Sequence, residues 1–194
     1  MKIGILGGTF NPPHLGHKNI LCQSIEKLSL DMVLVIPNNI PSHKKLPKNT
    51  ATTENRIEMC EIMCRDVEKA QVSLVEIEIG GESYTVQTLR ELHKIHSNDE
   101  FYLIVGTDSF VSFEKWYLFE EILSLCTLTV LERNLKNENK THKEYLEKKY
   151  NIKIELIDSD VVEISSSEIR SLQANHLLEP EILKYIEKNG LYKE

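Results

Sequence analysis

The chain has 194 residues, is 41% hydrophobic and 27% charged, and carries a formal net charge of −7. That length supports one domain with a sizeable core and is short for two, while the acidic balance argues against a protein that binds long nucleic acids. No stretch approaches the roughly 20 apolar residues of a membrane span, and the apolar start Met1–Leu6 is too short for a signal peptide, so a cytoplasmic chain that does not engage a membrane is expected.

Lys2–Leu6 reads as a strand and runs into Gly7-Gly8-Thr9-Phe10-Asn11-Pro12-Pro13-His14-Leu15-Gly16-His17. Glycines let backbone approach a ligand closely, and the prolines fix the turn into a helix. If that helix begins near Pro13, His14 and His17 share one face of its first turn. Free N–H groups and the positive end of the helix dipole suit a polyphosphate there, and the imidazoles add donors that follow charge onto phosphoryl oxygens. A metal pair is the rival reading, but no acidic or third imidazole ligand lies nearby, so no protein-held metal is expected. Gly-x-Gly-x-x-Gly and Gly-Lys-Ser/Thr are both absent, which excludes a dinucleotide fingerprint and a P-loop.

Leu21, Ile25 and Leu28 mark the helix that follows, and Met32–Pro37 a second strand. Asn38–Thr52, with Pro41, Pro47 and three lysines, reads as a surface loop. Ile57, Cys60, Cys64 and Val67 form a helical stripe, Ser73–Ile79 a third strand, and Val86, Leu89, Leu92 and Ile95 another helix. Phe101–Val105 is a fourth strand, ending in Gly106-Thr107-Asp108. Leu118, Ile122 and Leu125 give a further helix; Thr127–Leu131 and Lys153–Ile157 are the last strands, with polar Asn134–His142 read as a solvated connection. Cys22, Cys60, Cys64 and Cys126 fall at apolar positions without a Cys-x-x-Cys pair. Cys60 and Cys64 share a helix face but lack partner ligands, and read as reduced, buried thiols.

Strands alternating with helices predict an α/β fold: a Rossmann-like, doubly wound, mainly parallel sheet of order 3-2-1-4-5-6 with helices on both faces. Strands one and four then flank the reversal of winding, where such sheets bind ligands, so the loops Gly7–His17 and Gly106–Asp108 converge. Asp108 could hold a ribose hydroxyl or a magnesium ion, or serve only as an Asx turn or helix cap.

Near the end stands Ile164-Ser165-Ser166-Ser167-Glu168-Ile169-Arg170. Ser165 and Glu168 make a capping box. A cap needs neither three hydroxyls nor Arg170, whereas an anion site uses them all. An Arg170 that served only the anion could be removed with little change in the ligand-free stability. Pro180 opens a last helix with Ile182, Leu183 and Ile186 apolar, stopped by Asn189-Gly190.

With its glycine–histidine segment and Ile-Ser-Ser-Ser-x-Ile-Arg, the chain resembles the nucleotidyltransferase superfamily of the His-x-Gly-His type. Within it, the chain is similar over essentially its whole length to the bacterial nicotinate-nucleotide adenylyltransferases. The further matches are Pro41-Ser42-His43-Lys44, Ser83-Tyr84-Thr85-Val86-Gln87-Thr88-Leu89, Gly106-Thr107-Asp108, Trp116-Tyr117 and Arg133. Ser42 stands where the family usually has a second proline, and Ser167 where threonine is common; neither change removes a donor.

The resemblance implies roles residue by residue. Gly7, Gly8, Thr9 and Phe10 would line the nucleotide cleft, with His14 and His17 as the catalytic pair on the ATP phosphates. Ser165, Ser166, Ser167 and Arg170 would complete the ATP side, and Lys44 would close over the phosphates. Gly106 and Asp108 would contact the ribose region; Thr85, Trp116 and Tyr117 would hold the nicotinate ring and its carboxylate. Trp116 also suits a core position, and Arg133 either a phosphate contact or a surface ion pair. With no lysine or arginine in Ser83–Thr88 or at Trp116-Tyr117, the carboxylate would be read by backbone N–H groups near Thr85 and Tyr117, both at predicted helix starts.

The implied protein is one nucleotidyltransferase domain over residues 1–194, with helices from about 165 completing the ATP site. The implied reaction moves AMP from ATP to nicotinate mononucleotide, with magnesium bound mainly through phosphates. Partners are then small molecules rather than nucleic acid or membrane, and a homodimer is left open. The rival readings are the same chemistry on nicotinamide mononucleotide or phosphopantetheine, and a nucleotide sensor without turnover.

Overall fold

The computed structural model describes residues 1–41, 50–132, 135–160, 162, 164–172 and 174–192. Its main sheet is built from β1 (Lys2–Gly8), β2 (Met32–Pro37), β4 (Ala70–Val72), β6 (Glu100–Val105), β7 (Thr127–Glu132) and β8 (Ile154–Asp158). These six strands lie in the order β4-β2-β1-β6-β7-β8, which is the expected 3-2-1-4-5-6, and every neighbouring pair is parallel. A second small sheet pairs β3 (Ile40–Pro41) with β5 (Glu82–Ser83).

Alternation along the strands feeds both faces. Ile3, Ile5, Leu34, Ile36, Leu103 and Val105 belong to one core cluster. Leu6, Val33, Val35 and Ile104, the residues between, belong to the other. The first face is covered by α4 (Thr85–Ile95), α5 (Thr107–Val111), α6 (Phe119–Leu125) and α7 (Asn137–Tyr150) through Val86, Leu89, Phe110, Ile122 and Leu146. The second is covered by α1 (Leu15–Leu28), α2 (Thr53–Cys64), α8 (Ser166–Leu172) and α9 (Pro180–Asn189) through Leu21, Met59, Met63, Ile169 and Ile182. Strands buried on both faces account for their nearly continuous apolar runs. Gly190, at φ 62, ends α9 as its sequence predicts. Among the described residues no helix is long and apolar enough to cross a membrane.

Two expected elements differ. The third strand of the sheet is Ala70–Val72, not Ser73–Ile79; Val75–Ile79 forms a short helix, α3. Val75, Ile77 and Ile79 alternate like a strand, yet Val75 and its neighbour Glu76 are the buried pair and Ile79 is exposed. Glu76 is accommodated because Thr88 donates to its carboxylate at 2.8 Å. The segment Asn134–His142 is largely the start of α7 rather than a connection. Its buried Asn139 donates to the buried Glu132 carboxylate at 2.6 Å, a polar anchor that hydrophobic periodicity does not register.

The cysteines also divide. Cys60 and Cys64 are buried on α2, and burial pushes the Cys64 thiol up to about 12. Cys22 is exposed, contrary to its expected burial.

Candidate active site

A cleft of about 840 Å³ opens beyond the carboxyl ends of β1 and β6, where the strand order reverses. Three segments far apart in sequence line it: Thr9–Asn11 with His14 and His17, Gly106–Ser109, and Ile164–Glu168 with Arg170. Of the residues expected on the ATP side, Thr9, Phe10, His14, His17, Gly106, Asp108, Ser165, Ser166, Ser167 and Arg170 meet in this one cavity. Gly7 and Gly8 end β1 just behind it. A Cβ at Gly8 would lie 3.0 Å from the Phe10 ring, so the glycine lets the loop fold back on itself. Phe10 takes a left-handed backbone, φ 49, and is 1% exposed. Burying its ring contributes roughly 1.5–3 kcal/mol, which offsets the ~1–2 kcal/mol cost of that conformation.

The helix α1 begins at Leu15, with His14 as its N-cap rather than Pro13 as its start. The two histidines make a reciprocal capping box. His17 N–H donates to Nδ1 of His14 at 3.3 Å, and His14 N–H donates to Nδ1 of His17 at 3.2 Å. A ring nitrogen that accepts cannot carry the proton, so each neutral imidazole bears its hydrogen on Nε2 and donates from that edge. The rings lie 3.7 Å apart. His14 is buried, and that desolvation lowers its imidazolium to about 4, opposed by the charge of Glu168. Gly16 is needed where it stands: a Cβ there would meet the Val162 carbonyl oxygen at 2.8 Å.

At α8 the predicted capping box is present. Ser165 N–H donates to Glu168 Oε2 at 2.8 Å, and Glu168 N–H donates to Ser165 Oγ at 3.2 Å. Ser166 Oγ donates to the Pro12 carbonyl at 2.8 Å. Arg170 donates to the Asn11 carbonyl through one Nη and to Ser167 Oγ through the other at 3.2 Å. Arg170 therefore fastens α8 to the glycine–histidine loop, a role its expected service to an anion alone did not include. Asn11 is itself a junction, its Oδ1 accepting from Tyr192 Oη at 2.8 Å and Ala51 N–H at 3.2 Å.

The residues expected at the acceptor ring form a separate group that does not line the cleft. Tyr84, the N-cap of α4, meets Tyr117 with ring centroids 5.0 Å apart, which brings the Thr85 and Tyr117 segments together. The backbone N–H groups of Thr85 and Tyr117 carry no hydrogen bond among the described residues. Tyr117 precedes a helix instead of starting one, because Leu118, at φ 51, caps α6 from a left-handed conformation. Trp116 is half-buried against the core, its ring 5.2 Å from that of Phe113. Lys44 and Arg133 lie outside the described residues.

Two residues were not singled out from the sequence. Lys136 lines the cleft; it sits in the stretch read as a solvated connection. Arg56, 1% exposed on α2, donates to the Thr9 carbonyl at 2.9 Å directly behind the cleft. A lone arginine in a polar helix gives no sequence signal of burial.

Comparison with known proteins gives a consistent picture. Residues 5–172 match the Cytidylyltransferase-like family. The chain is 36% identical over 213 residues to a protein of Shewanella sediminis named "Probable nicotinate-nucleotide adenylyltransferase", covering 100% of this chain and 99% of that one. It is 38% identical over 200 residues to a Clostridium botulinum protein of the same name, covering 100% and 98%. In fold it is similar to Plasmodium falciparum nicotinic acid mononucleotide adenylyltransferase complexed with NaAD, with a TM-score of 0.78 and 21% identity over 98% of this chain and 97% of that one.

Proposed function

The chain belongs to the nicotinate-nucleotide adenylyltransferases, and from that membership and the cleft's geometry we infer that it joins AMP from ATP to nicotinate mononucleotide. The products are nicotinate adenine dinucleotide and pyrophosphate, a step of NAD biosynthesis. The observation that carries the assignment of residues is the convergence of His14 and His17, Ser165–Ser167 with Arg170, and Gly106–Asp108 on one cavity at the reversal of the sheet.

The reaction is an in-line displacement. A 5′-phosphate oxygen of the acceptor forms a bond to the α-phosphorus, and the bond from that phosphorus to the bridging oxygen of the β-phosphate breaks. A phosphate monoester has a second pKa near ~6, so the nucleophile is already ionised at neutral pH and no general base is needed. Catalysis then comes from positioning and from donors aimed at developing charge. The Nε2–H groups of His14 and His17 are such donors. Because the capping box occupies both Nδ1 atoms, the imidazoles keep this orientation without ligand. The N–H groups of Leu15 and Gly16 at the start of α1 have no partner among the described residues and add to the same anion site.

The one domain spans residues 1–194, with α8 closing the ATP side: Ser165–Ser167 and Arg170 bind the triphosphate, and Gly106 and Asp108 the ribose region. Gly7 and Gly8 let the loop approach the nucleotide, while Lys44 and Arg133 add cations to the phosphate site. Thr85, Trp116 and Tyr117 hold the nicotinate group, whose carboxylate is read by the N–H groups of Thr85 and Tyr117.

Magnesium suits this donor set as an ion carried by ATP. Among the described residues no three His, Cys, Asp or Glu side chains are grouped to hold a metal, and of the carboxylates lining the cleft Glu168 is already engaged by Ser165. Asp108 is the remaining one, consistent with an ion held mainly by phosphates and water. When bound, the ion neutralises part of the triphosphate charge.

Incubation with magnesium, ATP and nicotinate mononucleotide tests the reading. Stoichiometric pyrophosphate is expected, with a dinucleotide whose mass is that of ATP plus nicotinate mononucleotide less pyrophosphate. ATP binding without product would contradict it.

A further inference from the structure

Arg56 belongs to no motif read from the sequence and is the largest of the side chains that are fully buried. Its hydrogen-bond acceptors are all neutral. Nη1 donates to the Thr9 carbonyl at 2.9 Å and to Asn38 Oδ1 at 3.2 Å. Nη2 donates to the Asn39 carbonyl at 3.2 Å and to Thr53 Oγ1 at 3.1 Å. Among the described residues Nε has no partner, and burial lowers the guanidinium's pKa. Glu54 acts on it only through space, and a buried cation with no carboxylate in contact is costly, so a mere space-filling role has no stability advantage over an apolar side chain.

What the guanidinium joins gives its use. Thr9 begins the loop that carries His14 and His17. Asn38 directly follows β2, donates to Thr9 Oγ1 at 3.2 Å, and through its own N–H holds the Gly8 carbonyl at 2.9 Å. Asn39 N–H donates to Ser83 Oγ at 2.9 Å, and Asn39 Nδ2 to the Gly81 carbonyl at 3.1 Å. Ser83 leads directly into Tyr84 and Thr85. One planar fork therefore ties the nucleotide loop to the turn that carries the acceptor element.

We propose that Arg56 is a positioning residue for adenylyl transfer, fixing the glycine–histidine loop and the Asn38–Asn39 turn in the relation that aligns the acceptor phosphate with the α-phosphorus. This rests on the acceptor reading of Thr85, Trp116 and Tyr117. Arg56 is buried behind the cleft and does not line it, so its loss disturbs alignment more than the binding of either substrate alone.

The test is steady-state kinetics of Arg56→Lys, which keeps the charge but cannot span four acceptors. The expected result is a fall in kcat of about 10- to 100-fold, with KM for ATP and for nicotinate mononucleotide changed by less than about threefold. Asn38→Ala, which removes one acceptor of the fork, should lower kcat in the same selective way, and the double variant should lose less than the product of the two. If Arg56→Lys does not fold, Asn38→Ala carries the test. Wild-type kcat in the folded variants, or losses that follow the fraction of unfolded protein, would overturn the proposal. Trp116→Ala separates it from the acceptor reading: an unchanged acceptor KM there refutes that reading, whatever Arg56→Lys does.

Discussion

His14 and His17 cap each other: each accepts the other's backbone N–H at Nδ1, at 3.3 and 3.2 Å. The same contacts start α1 and set the tautomer of both rings, so cap and chemistry can be separated by substitution. In His14→Asn the side-chain oxygen caps the helix but offers no imidazole donor; in His14→Ala both are lost. Both variants should lose about 100- to 1000-fold in kcat, while only the alanine variant loses a cap worth roughly 0.5–2 kcal/mol. His17→Ala should lower kcat far more than it raises KM for ATP. Denaturation midpoints beside kcat check this; near-wild-type turnover in His14→Asn would remove His14 from the chemistry.

The burial of His14 also has a pH signature. Above about pH 6.5 the imidazole is neutral in folded and unfolded chains alike. Below it the unfolded chain takes up a proton that the folded chain refuses until about pH 4. Stability therefore falls across that window, by about 2 kcal/mol at pH 5 and at most about 3 kcal/mol. Urea denaturation at pH 7 and pH 5 should show this loss in the wild type, and a smaller one in His14→Asn. Equal losses would show that other groups carry the acid sensitivity.

Arg170→Ala should raise KM for ATP and also destabilise the ligand-free protein. The Asn11 carbonyl would lose a charged donor, a change worth roughly 1–3 kcal/mol. A melting temperature unchanged without ligand, together with weaker ATP binding, would restore the simpler view of Arg170 as an anion contact alone.

Gly16→Ala places a methyl group 2.8 Å from the Val162 carbonyl, so either α1 or the segment before α8 must move. Overpacking of this kind costs roughly 1–3 kcal/mol, and the displaced wall should weaken ATP binding. Full stability by chemical denaturation would show that the Val162 segment yields freely.

The order of the sheet was legible because its central strands, buried on both faces, are continuous apolar runs set between helical stripes; Ala70–Val72, short and only half-buried at the edge, was not. The convergence of Gly7–His17 and Ser165–Arg170 on one cleft was legible too, since each compresses several unusual residues into one stretch. Val75–Ile79 misled because period-two spacing also fits a short helix that buries a hydrogen-bonded Glu76. Arg56 was hidden for a different reason. Its burial depends on the Thr9 and Asn39 carbonyls, acceptors that every residue has and no side-chain pattern reveals.

Acceptor choice tests the account most directly. Nicotinate and nicotinamide mononucleotide differ only in a carboxylate against a carboxamide. The Thr85 and Tyr117 N–H groups offer two donors, so a carboxamide would turn its NH₂ toward one of them. The carbonyl oxygen still satisfies the other donor, and one donor left unpaired costs roughly 1–3 kcal/mol, so discrimination of about 5- to 150-fold is expected. The measurement is kcat/KM for both acceptors under the same ATP and magnesium. A clear preference for nicotinate mononucleotide is the predicted result; equal values, or a preference for the nicotinamide, would contradict the account.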